Sequence, residues 1–376
     1  MEKSLPPQRY YALDILRGMT IALMIMVNNP GSWSSIYPPL KHAAWHGFTP
    51  TDWVFPSFLF VVGTAMSFSM RKYEQLGNSA ILKKIFKRAG AIFLIGLLLN
   101  AFPFIYRTDG GIAFKNLADI RIMGVLQRIA LCYLFGALII HYLKLKKSVI
   151  VGVFILLAYW AIMYFFGSSP LPFSLENNAA LKFDNLIFRN ENIYKGFGIS
   201  FDPEGLLSTL TATVNVIAGY VAGIFVQKSG NNIKTVLKLI AASLTLIVVS
   251  LIWDIYFPIN KPIWTSSFVL YSTGWTLMVL AILIYTIELL NFKKWAYFFE
   301  PFGKNPLFIY VVSGLVANLL ALIYVNTVPL KSWLYANFYL SWMEDLNASL
   351  GFAVSFIAMM WLLGYVLDKK KIYIKV

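Results

Sequence analysis

From Ile122 to Gly167 the sequence reads IMGVLQRIALCYLFGALIIHYLKLKKSVIVGVFILLAYWAIMYFFG. Two apolar runs of about twenty residues flank Lys144, Lys146 and Lys147. Each run has the length of a helix that crosses the ~30 Å hydrocarbon core of a bilayer. The stretch therefore predicts two membrane helices, 122–143 and 148–167, joined by a short basic segment.

The same pattern repeats outward in both directions. Further apolar blocks lie at 11–29, 51–70, 86–106, 205–227, 235–257, 266–290, 304–325 and 349–367. The chain is 59% hydrophobic and 13% charged, whereas a soluble domain carries about 25% charged residues. The expected fold is an all-α, polytopic helical membrane protein with about ten transmembrane helices, forming a single transmembrane domain over residues 1–376. No small-residue cleavage site follows the first apolar run, so that run reads as a retained helix.

The net charge of +15 is not spread evenly. Basic residues gather on alternate connecting segments. These hold Lys3 and Arg9; Arg71, Lys72, Lys83, Lys84, Lys87 and Arg88; Lys144, Lys146 and Lys147; Lys228, Lys234 and Lys238; Lys293, Lys294 and Lys304; and Lys369, Lys370, Lys371 and Lys375. Such segments face the cytoplasm, which puts both termini there and points to the inner membrane of a bacterium. Scattered over six segments, the charge forms no stripe for nucleic acid, which is excluded as a partner. The single cysteine, Cys132, excludes an intramolecular disulfide and a cysteine-based zinc site. It reads as a small packed residue.

Three outer loops are expected, at about 30–50, 168–204 and 326–348. The second is rich in Asn, Gly, Pro and aromatics and reads as long, irregular and functional. The third is rich in Trp and Tyr, residues of the membrane interface.

Charged and polar groups inside the spans stand out because burial in lipid is costly. Asp14 and Arg17 are three apart on one helix face and read first as an ion pair. Arg128, beside Gln127, lies deep in its span and should face an internal cavity, a carboxylate such as Asp14 or Asp254, or an anionic ligand. Asp202 and Glu204 flank Pro203 at the expected start of the sixth span, where negative charge suits the helix dipole. They could also hold a cationic amine. Asn260 and Lys261 precede the eighth span, and Lys304 and Asn305 open the ninth on the inner side as a phosphate contact.

Residues 40–56, LKHAAWHGFTPTDWVFP, hold two of the three histidines, His42 and His46, with Trp45 and Asp52 close by. Histidine exchanges a proton near neutral pH, and a carboxylate such as Asp52 would orient it. Spacing alone leaves open which histidine acts. The i, i+4 spacing suits a shared metal, but the other ligands of known zinc signatures are missing, and no metal is expected.

In order, LDILRGMTIALMIMVNN, KHAAWHGFTPTDWVFPSFLFVVG, RIMGVLQRIALCY, FDPEGLLST, INKPIWTSSFVL and FGKNPLFIY resemble the heparan-α-glucosaminide N-acetyltransferase family of transmembrane acyltransferases. The resemblance implies transfer of an acetyl group from cytosolic acetyl-CoA to a glucosamine amine on the far side. It places the family's catalytic histidine on His42 and its asparagine on Asn28, and carries no role onto His46. Asp52 and Trp45 are then supporting residues. Arg17, Gln127, Arg128, Lys304 and Asn305 are the expected CoA contacts, and Asp202, Glu204 and Asn260 the acceptor contacts. The expected partners are the lipid bilayer and an amino-sugar or glycan acceptor, with a homodimer admitted. An O-acyltransferase of envelope polysaccharide, a small-molecule transporter and a structural membrane protein are the competing readings.

Overall fold

The computed structural model describes residues 10–73, 77–108 and 111–374. Lys3, Arg9 and Lys375, expected on the inner side, lie outside them, as do the side chains of Arg71 and Lys72. The chain folds as an all-α membrane protein. Its main helices are α1 (Tyr11–Asn28), α2 (Pro50–Tyr73), α3 (Asn78–Ala101), α4 (Val125–Phe166), α5 (Ala179–Ile187), α6 (Thr209–Ser229), α7 (Ile233–Asp254), α8 (Ser266–Leu283), α9 (Glu300–Lys304), α10 (Pro306–Leu322), α11 (Leu330–Phe338) and α12 (Asp345–Lys369). Two short hairpins, β1–β2 over Ile105–Phe114 and β3–β4 over Tyr324–Pro329, supply the strands among the described residues.

All ten predicted segments are helical. Among the described residues seven helices are long and apolar enough to span a membrane, and an eighth arises if the bent pair Lys294–Lys304 and Pro306–Leu322 is one span, against the ten spans expected. The two apolar runs around Lys144 form a single helix, α4, of 42 residues. At 1.5 Å per residue it would reach ~63 Å, twice the hydrocarbon core. Lys144 breaks it with φ 59° and ψ 176°, among the lysines where the turn was expected. The buried Ser148 hydroxyl donates to the Lys144 carbonyl at 2.6 Å, so the break leaves that oxygen satisfied.

Other boundaries moved. The sixth span was expected from residue 205, but α6 starts at Thr209, after a turn that carries Asp202 and Glu204. The loop at 168–204, expected to be irregular, contains α5, whose first turn is capped by Asn178 accepting from Leu181 N at 2.8 Å. The loop at 326–348 contains α11. Between α9 and α10 the chain turns through 78° at Asn305.

Among the closest helix contacts is that of α2 with α6. A Cβ on Gly63 would strike the Val216 carbonyl, and one on Gly219 would strike the Phe60 carbonyl, so the two backbones nearly touch. Small residues permit such approach where lipid provides no hydrophobic drive between helices. Hydroxyls and amides at the seams bond across helices: Trp53 Nε1 donates to Thr276 at 3.1 Å, and Trp264 Nε1 donates to Asn215 at 3.0 Å. These contacts meet the requirement that polar groups in a bilayer be satisfied within the protein.

Candidate active site

Helix α2 begins at the sequence Thr49-Pro50-Thr51-Asp52. Pro50 suits a first helical position, and Thr and an acid three apart form a capping box. Here Asp52 Oδ2 accepts from the Thr49 amide at 3.1 Å and from the Ala43 amide at 3.0 Å. The Thr49 hydroxyl donates to the Lys41 carbonyl at 2.7 Å. The helix start thus draws residues 41–43 back onto itself.

The second carboxylate oxygen serves the histidine. His42 Nδ1 lies 2.6 Å from Asp52 Oδ1, with the Asp52 side chain 1% exposed and that of His42 49% exposed. Nδ1 donates this bond, which assigns the tautomer and puts the ring's lone pair on Nε2. Lys261 completes the group from the loop between α7 and α8. Its Nζ is 3.6 Å from Asp52 Oδ1, 3.1 Å from His42 Nδ1 and 3.5 Å from Nε2. Burial lowers the lysine's affinity for its proton, against the pull of Asp52 and Glu204.

His46 has a different setting. Asn260 Nδ2 donates to His46 Nδ1 at 3.3 Å and to the Trp45 carbonyl at 2.9 Å, while its Oδ1 accepts from Ile263 N at 2.9 Å. The amide expected to meet an acceptor is fully engaged in holding two loops together. Burial lowers the pKa of His46, with Asp254 opposing. Trp45 donates from Nε1 to the Phe173 carbonyl at 2.9 Å and packs edge-on to Phe197 and Phe201. The outer loop at 168–204 therefore braces the histidine loop.

A second polar group lies behind. Arg121 makes paired bonds to Asp202, at 2.6 and 2.9 Å, and a third to Glu204 at 2.5 Å, with its guanidinium 4.7 Å from the Tyr194 ring centre. Burial works against its charge, but the two carboxylates outweigh burial and hold Arg121 firmly protonated. Asp202 and Glu204 are thus committed to an arginine rather than to capping α6. Asp184 of α5 accepts from the Leu206 and Leu207 amides at 3.0 and 3.2 Å, and burial raises its pKa to about 6.

Arg128 pairs with neither Asp14 nor Asp254, as had been expected. Asp14 binds Arg17 at 2.7 Å, and Asp254 accepts from Ile259 N at 2.5 Å. Arg128 is fully buried, donates to the Gly205 carbonyl at 2.9 Å and to the Ser208 hydroxyl, and stacks 4.7 Å from the Trp264 ring. Backbone oxygen and an indole face stabilise the cation where a carboxylate was sought. Its Nε and Nη1, and Gln127 Nε2, have no hydrogen-bond partner among the described residues.

The remaining expected residues lie elsewhere. Arg17 also donates to the Gly303 carbonyl at 2.6 Å, which fastens α1 to α9. Lys304 pairs with Glu300 at 2.8 Å and Asp368 at 2.7 Å, and Asn305 bonds the backbone of Ile372 and Ile374. Asn28 ends α1 exposed, with no side-chain hydrogen bond recorded among the described residues, whereas its neighbour Asn29 is buried and bonds the Ile25 carbonyl. Lys261 is the residue that sequence reasoning passed over. Its place next to Asn260 in the INKPIW segment was the available signal.

Fold and site define a polytopic helical membrane protein with a half-exposed histidine backed by a buried aspartate and a lysine. Residues 9–188 match the family described as heparan-alpha-glucosaminide N-acetyltransferase, catalytic. The chain is 24% identical to the human heparan-alpha-glucosaminide N-acetyltransferase over 432 residues, covering 99% of this chain and 60% of that protein. It is 25% identical to the mouse protein of the same name over 365 residues, covering 82% of this chain and 54% of that one. The chain thus spans little more than half the length of these relatives. The resemblance carried by the sequence motifs holds as a similarity to the heparan-α-glucosaminide N-acetyltransferases.

Proposed function

We propose that the protein is a transmembrane acetyltransferase that moves an acetyl group from acetyl-CoA, supplied on the cytoplasmic side, to the amine of a glucosamine-type sugar on the outer side. Its setting is the inner membrane of a bacterium, with both termini cytoplasmic. The observation that carries the reading is the His42–Asp52 pair, 2.6 Å apart, inside the segment that matches the family's catalytic region.

Asp52 holds Nδ1–H, so Nε2 is the basic atom. As the acceptor nitrogen attacks the thioester carbonyl, Nε2 takes its proton, and the CoA sulfur leaves and is protonated in turn. In the alternative order, Nε2 attacks first, the thiolate departs, and the acetyl-imidazole passes its acetyl group to the amine. Both orders use the same atoms. Asn28, exposed and unengaged at the end of α1, is suited to donate to the carbonyl oxygen as charge builds there.

Among the expected donor contacts, Gln127 and Arg128 hold buried N–H groups with no hydrogen-bond partner among the described residues, suited to the carbonyls of an acetyl-pantetheine arm. Arg17 and Lys304 already face Asp14, Glu300 and Asp368, so phosphates would share them with carboxylates. Of the expected acceptor contacts, Asp202 and Glu204 hold Arg121 and Asn260 holds the histidine loop, so their part is that of a scaffold.

The test is acetyl transfer from acetyl-CoA to glucosamine by purified protein. Wild type should form the amide, and His42→Ala should not, while melting as wild type does. Equal turnover by the folded variant would end the assignment. Esters formed in place of amides would favour the O-acyltransferase. Solute movement into sealed vesicles without chemistry would favour the transporter.

A further inference from the structure

Lys261 stands 219 residues from His42 in sequence, yet its Nζ is 3.1 and 3.5 Å from the two ring nitrogens. It also lies 3.6 Å from the carboxylate oxygen that the imidazole uses. Such an arrangement needs a reason, because two cations do not share a site without cost. An aspartate bonded to an imidazole, acting alone, draws a second proton onto the ring. A protonated ring has no lone pair and can neither take a proton nor attack a carbonyl.

We propose that Lys261 is a positioning residue for His42: its ammonium, set against both the imidazole and the shared Asp52 carboxylate, disfavours the imidazolium and keeps the Nε2 lone pair available. The proposal rests on His42 acting as the base or nucleophile of an acyl transfer. The surrounding charges are accounted for. Asp52 faces the ring from α2, and Lys261 faces it from the α7–α8 loop. Glu204 and Arg128 act on Lys261 from behind with opposite sign, and Asp254 acts on His46. The lysine is 16% exposed, so water screens it little, and Asp52 keeps it in place.

The measurement is the titration of the His42 ring by NMR on protein labelled at histidine. The chain has three histidines, and the His42 signal is assigned by its loss in His42→Asn. In Lys261→Met the midpoint should move to higher pH by at least about one unit, which is the effect of removing one like charge at this distance even with the screening of bulk water. Lys261→Arg should leave it near the wild-type value. The acid limb of kcat/KM should move with the midpoint in each variant, which a merely structural lysine would not produce. Should Lys261→Met melt below the assay temperature, Lys261→Gln supplies the same neutral test.

A midpoint unchanged in both neutral variants overturns the proposal. The titration requires no acceptor, so the two ideas fail separately. A shifted midpoint in a protein that transfers no acetyl group would sink the acetyltransferase and leave the lysine's role standing. Transfer that continues with an unmoved midpoint would do the reverse.

Discussion

Asp52 Oδ1 lies 2.6 Å from His42 Nδ1, while Oδ2 of the same carboxylate accepts the amide of Thr49 at 3.1 Å. One side chain therefore fixes the ring and begins α2. Asp52→Asn separates these tasks. The amide oxygen can still cap the helix, so stability should fall by only about 1 kcal/mol. The ring loses its charged partner and the preference for one tautomer, and kcat should fall roughly 10²–10⁴-fold. Paired turnover and melting measurements check both halves.

Asn28→Ala should behave differently. The side chain is exposed and makes no recorded hydrogen bond among the described residues, so melting should hardly change. If it donates to the developing oxyanion, kcat should drop roughly 10²-fold. Asn29→Ala is the control: that buried amide bonds the Ile25 carbonyl, and its loss should lower stability by about 1 kcal/mol.

Arg121 ties the turn before α6 to the start of α4 through Asp202 and Glu204. Arg121→Ala leaves two carboxylates facing each other without a cation. It should destabilise by about 3 kcal/mol, read by denaturation in detergent. Adding Asp202→Asn should recover part of the loss, because the uncompensated charge is then smaller.

Asp184 gives stability a pH dependence. Its folded pKa, about 6, is raised above that of a free carboxyl. The folded state therefore holds this proton more tightly than the unfolded chain, and stability must fall as pH rises from about 4 to 6. Below that window the full benefit is present. Melting curves across it should slope downward for wild type and flatten for Asp184→Asn, with the other carboxyls as a common background.

At the contact of α2 and α6, Gly219→Ala places a methyl group against the Phe60 carbonyl. Backbone cannot yield as a flexible side chain would. The variant should lose about 1–3 kcal/mol, or the helices should separate and monodisperse protein should be lost on gel filtration.

The helices were legible in the sequence because a bilayer imposes one length on every apolar run. Even the break at Lys144 was marked, by three lysines within four positions. The contact of His42 with Asp52 was also within reach, since a helix start and the loop before it are neighbours in the chain. What could not be read was any pairing made across the bundle. For Arg128 the sequence offers a carboxylate, such as Asp14 or Asp254, an internal cavity or an anionic ligand, and the structure supplies a carbonyl, a hydroxyl and an indole face. Asn260 was expected to contact the acceptor and Lys261 carried no role, because only the tertiary fold decides what each of two adjacent side chains meets.

The placement of Asp52 also limits how this site can change. Residues of an α-helix step round the axis by about 100° each. Sliding α2 by a single position would swing its carboxylate away from the imidazole and offer a neighbour in its stead. The loops around the site are at liberty to diverge, but the register of this one helix is tied to the ring it holds.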